Sequence, residues 1–205
     1  MPAAHPLWVR VVHWINALAF FVLLTSGWQI YNADPFWSAP FPSWLTLGGS
    51  LPGALQWHFS AMWVLAGNGL VAITLLLWSG RLRELYLPLR WRWLWRDTKA
   101  RAAALASQHE HGHGQRNTMQ KLAYGSVLAL LDVEVLSGLA IWKPVQLQWL
   151  SACFGGYESS RRVHFVAMAL LASFVTGHVV LALRSPRLLL QMIAVRPHAE
   201  PKPKA

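Results

Sequence analysis

The sequence predicts an all-α integral membrane protein, a bundle of four membrane-crossing helices, and three observations carry that expectation. Its 205 residues are 55% hydrophobic and only 13% charged, with a mean hydropathy of +0.32, well below the charge content of ordinary soluble domains. Four apolar stretches are each long enough, at ~20 residues, to cross the hydrocarbon core as helices. The basic residues gather in particular connections instead of spreading along the chain, as they do where they report membrane orientation.

The first stretch, Leu7–Ile30, is longer than the apolar region of a secretory signal and no small-residue cleavage pattern follows it, so it reads as a retained span. The second is Leu55–Ser79, the third Gln120–Trp142 and the fourth Arg162–Leu183. Between the first two, Tyr31 to Gln56 carries Asp34 and no Lys or Arg. The loop 80–119 is the reverse, with Arg81, Arg83, Arg90, Arg92, Arg96, Lys99, Arg101 and Arg116, and Lys121 just beyond it. Between spans three and four stands Lys143, ahead of the Arg161–Arg162 pair, whereas the tail 184–205 holds Arg184, Arg187, Arg196, Lys202 and Lys204. The positive-inside rule then puts the loop 80–119 and both termini in the cytoplasm. Trp8, Trp28, Trp57, Trp78 and Trp142 stand near span ends, as interfacial belts require. The net charge of +10 thus reflects orientation, and nucleic acid is not an expected partner.

Within the inner loop, Leu82–Trp95 mixes Arg with Leu and Trp and suits a surface-lying helix limited by Pro88. Lys99–Ser107 is Ala-rich and reads as helix. His109, His111 and His113 alternate with Glu110, Gly112 and Gly114; a metal site and an ordinary solvent-facing loop both fit that pattern.

Of nine histidines, four lie within the spans: His13, His58, His164 and His178. Ionisable side chains inside a membrane are costly and so point to function. Chain direction sorts them by depth. His13 and His178 fall near the cytoplasmic face, and His58 and His164 near the outer face. The 14-residue step from His164 to His178 is ~21 Å of rise and nearly four whole turns, so both imidazoles leave one helix face. Imidazole is a strong axial ligand of haem iron, and two histidines per iron close it to substrate and suit electron transfer. The expectation is two stacked b-type haems, His13 and His178 on the inner one, His58 and His164 on the outer.

Cys153 is the single cysteine, which rules out c-type attachment and cysteine-held iron–sulfur clusters. Flat macrocycles need small residues where they approach backbone; Gly27, Gly67, Gly69, Gly125, Gly138 and Gly177 are candidates, each equally suited to helix packing. Arg161 and Arg162, a turn or less before His164, suit haem propionates, with interfacial anchoring as the alternative.

The stretches RVVHWINALAFFVLLTSG, NTMQKLAY, SGLAI, GGYESSRRVHF and TGHVVL resemble the bacterial cytochrome b561 and nickel–iron hydrogenase cytochrome b group, and within it the gamma-type subunits of formate dehydrogenase and thiosulfate reductase. The resemblance covers all four spans, and the four histidines with their 14-residue spacing are its most specific element. It implies a membrane anchor subunit of a respiratory oxidoreductase in the bacterial inner membrane. Such a subunit exchanges electrons with quinone near the inner haem and with a molybdenum, iron–sulfur or c-type cytochrome subunit on the periplasmic side. It further implies that Asn117 and Gln120, followed by Lys121, stand beside the quinone, although Asn117 equally suits a helix N-cap. Asp132 and Glu134 depart from the simplest pattern; a proton path to the quinone and a contact with a partner helix are both open.

Two other functions compete. A stand-alone di-haem quinone oxidoreductase would react directly with a small oxidant or reductant such as superoxide. A haem-free metal transporter or sensor would need its ligands gathered within a few ångströms, whereas topology separates two histidines to each leaflet. The outer face leaves room for a docked subunit, and a homodimer fits the sequence too.

Overall fold

The computed structural model describes residues 6–37, 39–80 and 118–184, together with 189, 192 and 193. The Leu82–Trp95 segment, the Ala-rich segment, the His109–His113 tract, Asn117 and nearly all of the tail lie outside the described residues. Among those described there is no strand, and four helices are long and apolar enough to cross a membrane. They are α1 (Leu7–Ala33), α2 (Leu51–Trp78), α3 (Thr118–Trp142) and α5 (Tyr157–Leu183), with a short α4 (Gln148–Cys153) before the last.

The side chains are arranged as a lipid solvent dictates. Leu18 and Phe21 of α1, Leu70, Val71 and Ile73 of α2, Val135 and Leu136 of α3, and Leu170 and Leu181 of α5 are all exposed. Small residues are prominent among those buried: Ala19 and Ser26, Ala54 and Ala61, Ser137 and Ala140, Ser160 and Ala167. Lipid tails are as apolar as leucine, so large apolar groups gain nothing by turning inward, while small ones let helices approach closely.

The chain divides into two compact units. One comprises Met1–Ile73 and Thr176–Ala205, the other Thr74–Val175. In the first, the connection from α1 to α2 is tied back onto the end of α1. Asn32 donates from Nδ2 to the Phe41 carbonyl and accepts from the Phe41 N–H, both at 2.8 Å. Phe41 stacks on Trp28 at 4.8 Å between centroids, and Tyr31 meets Phe36 and Phe41 edge-on. Leu47 N–H donates to the Thr25 carbonyl at 3.1 Å, just past a single 3-10 turn at Ser43–Leu45. Within the span, Asn68 of α2 donates through Nδ2 to the Val12 carbonyl (2.9 Å) and to Asn16 Oδ1 (2.6 Å), which gives its amide N–H groups acceptors where water is absent.

In the second unit, α4 follows α3 after a short turn and ends at Gly155 and Gly156, whose φ angles of 86° and 98° only glycine adopts readily. The Gly156 N–H returns to the Ser151 carbonyl at 2.8 Å, and α5 starts at the next residue. Glu158 in its first turn suits the positive helix end, and its carboxylate holds Arg161 at 3.2 Å.

Candidate functional site

His13 on α1 and His178 on α5, both in the first unit, are brought together, with ring centroids 6.1 Å apart and planes 66° to each other. Trp14 lies edge-on to His13 at 5.4 Å and donates through its indole N–H to the Met192 carbonyl at 3.2 Å.

His58 and His164 fall in different units, and each has its own seat. In the first unit, Ser26 is fully buried and its hydroxyl donates back to the Val22 carbonyl at 2.6 Å. Its oxygen stands 3.1 Å from His58 Nδ1. With the hydroxyl proton committed to the carbonyl, Nδ1 must be the donor, which leaves Nε2 as the basic nitrogen of the neutral ring. The next residue is Gly27, where a Cβ would sit 3.6 Å from His58 Cε1.

The second unit repeats the device. Ser137, also fully buried, donates to the Val133 carbonyl at 2.6 Å and stands 3.0 Å from His164 Nδ1. A Cβ on the following Gly138 would lie 3.2 Å from His164 Cε1, tighter than an ordinary contact. Two Ser–Gly pairs on different helices thus hold two imidazoles by the same nitrogen. A Cβ at Gly67, Gly69, Gly125 or Gly177 would meet nothing within 4 Å, so of the six glycine candidates two lie against histidine.

The seats differ in one respect. His164 Nδ1 also lies 3.1 Å from the Glu134 carbonyl and 2.5 Å from Glu134 Oε2. That carboxylate oxygen is buried and makes no aligned hydrogen bond, so it lies against Nδ1 as a close contact outside the hydrogen-bond geometry. Asp132 is exposed, two residues away and on another helix face. Sequence reasoning missed both serines and the partner of Glu134. Arg161 is engaged with Glu158, and Arg162 is exposed. Gln120 and Lys121 lie in the first turn of α3, with their side chains outside the described residues.

The model of one family, described as prokaryotic cytochrome b561, matches residues 4–194. The chain belongs to the prokaryotic cytochrome b561 family. It is therefore a transmembrane b-type haem protein of electron transport, and a protein of the bacterial inner membrane. Among curated proteins it is similar to YedZ1 of Azospira oryzae, named as a candidate subunit of a protein-methionine-sulfoxide reductase, with 44% identity over 191 residues covering 93% of this chain and 96% of that one. No solved structure matches.

The residues suit the b-type haem that membership in the cytochrome b561 family implies. His13 and His178, on two helices with ring centroids 6.1 Å apart, would be the pair able to hold one such group, imidazole being a strong ligand of haem iron. The Nδ1 tethers on His58 and His164 fix ring tautomer and orientation, as the outer partners of ligating histidines do. Among the described residues no group of three or more His, Cys, Asp or Glu converges as a metal site.

Proposed function

We propose that this cytochrome carries electrons across the inner membrane between quinone and a redox partner subunit through two bis-histidine b-type haems. His13 and His178 ligate the haem near the cytoplasmic face, and His58 and His164 the haem near the outer face. Both termini are cytoplasmic. The observation that carries the reading is the His13–His178 pair at 6.1 Å on α1 and α5; the matched serine tethers on the other two histidines support it. Arg161 and Arg162 are the propionate partners in this reading, and Asn117 and Gln120 flank the quinone.

The relative's name supplies a partner class: a reductase subunit that acts on oxidised methionine in proteins. Reduction of a sulfoxide to a thioether consumes two electrons and two protons and releases water. Quinol is then the donor, and the cytochrome passes its electrons outward one at a time.

The test uses the detergent-purified cytochrome reduced by a quinol analogue. Adding the co-expressed partner subunit and a protein containing methionine sulfoxide should reoxidise the haems, with thioether formed at one per two electrons. Haems that stay reduced until oxygen or superoxide is admitted would favour the stand-alone oxidoreductase. Replacing Asn117 should slow quinol-driven reduction while haem content stays intact; unchanged kinetics would remove it from the quinone site.

A further inference from the structure

Ser26 and Ser137 treat their histidines alike, but only His164 carries a second, acidic neighbour. Glu134 stands three residues before Ser137 on α3, so both side chains face the same ring. Its side chain is 14% exposed, and its buried Oε2 lies 2.5 Å from His164 Nδ1, closer than Ser137 Oγ at 3.0 Å. A carboxylate inside a span is expensive, and this one has been placed against one nitrogen. Hydrogen bonding alone does not need it, because Ser137 Oγ and the Glu134 carbonyl already stand within reach of that nitrogen.

We propose that Glu134 is a positioning residue for His164, its carboxylate set against the ring at Nδ1 so that the added negative charge makes the haem His164 serves harder to reduce. The inference rests on the reading that His164 is a haem ligand. Outer partners of a ligating histidine fix its ring, and reduction potential is set in part by the groups around the iron ligands. A nearby negative charge favours the ferric state. Electrons arriving at this haem are therefore held less tightly than serine tethers alone would allow, which favours onward transfer.

The test is a potentiometric titration of the purified cytochrome with low-spin EPR of each haem. Glu134→Gln keeps the size and an acceptor oxygen but removes the charge. It should favour reduction of one haem by at least tenfold, 59 mV for a one-electron couple, with an altered EPR signal for that haem alone. Asp132→Asn, on a different face of α3, should leave both potentials in place. His164→Ala separates the two levels of inference. Retention of both haems there would overturn the ligand reading itself. Loss of one haem in His164→Ala combined with unmoved potentials in Glu134→Gln would overturn the role of Glu134 and leave the reading standing. Should Glu134→Gln not fold, Glu134→Asp, which withdraws the carboxylate by one methylene, should move the same potential upward by a smaller step, and an unmoved value would overturn the proposal.

Discussion

Replacing Ser26 with alanine tests how a lipid-embedded imidazole is held. Ser26 is fully buried, and its oxygen is the acceptor 3.1 Å from His58 Nδ1. Removing it takes that acceptor from a half-buried N–H, at a cost of about 1 kcal/mol. The Val22 carbonyl that loses the serine hydroxyl is an interior helix carbonyl and still accepts from the helix backbone, so little is lost on that side. Loss of an outer partner of a ligating histidine lowers affinity by about 10–100-fold. The expected result is therefore a variant that folds and inserts normally but releases one haem about 10–100 times more readily. Haem retained through serial dilution and gel filtration, read by absorbance against protein, measures this. Ser160→Ala is the control, since Ser160 is equally buried but donates to the Gly156 carbonyl at 2.9 Å; it should keep both haems. A Ser26→Ala protein with wild-type retention and an unchanged spectrum would refute the tether.

Four further outcomes follow from the geometry. His13→Ala and His178→Ala should each lose the same single haem, identified by its spectrum and potential, and loss of different haems would dissolve the pair. Gly138→Ala places a methyl 3.2 Å from His164 Cε1, inside the ~3.5–4.0 Å optimum for carbon contacts, and should disturb haem binding. Gly27→Ala, at 3.6 Å from His58 Cε1, should be near neutral and gain up to about 1 kcal/mol of helix propensity. Asn32→Ala removes both bonds to Phe41; at about 1 kcal/mol each it should cost about 2 kcal/mol and expose the loop 34–50 to proteolysis without changing haem content.

The four spans were legible because crossing a membrane requires a run of apolar residues that little else in a protein requires. Their ends were less so. Helix α2 starts at Leu51, before the sequence shows it, because Pro52 and Gly53 read as breakers although proline is tolerated in a first helical turn, and α5 starts at Tyr157 because the interfacial turn bearing Glu158 and Arg161 is helical yet polar. Helix α4 and the 3-10 turn at Ser43–Leu45 are too short to show a period. Chain direction gave His13 and His178 the same depth, and in the structure their ring centroids lie 6.1 Å apart. The serine seats were hidden, because a serine in a membrane helix ordinarily bonds its own backbone, and nothing in sequence ties Ser26 to His58 or Ser137 to His164. The repeated Ser–Gly pair was the only trace. Asp132 and Glu134 looked alike in sequence, yet the helix turns one out and sets the other against an imidazole.

The most direct test of the account is the number of haems per chain. A pyridine haemochrome count on the detergent-purified, haem-replete protein, taken with its dithionite-reduced minus oxidised spectrum, should give two b-type haems for each polypeptide. A count of one would break one histidine pair, and a folded, colourless protein would contradict the electron-transfer account altogether.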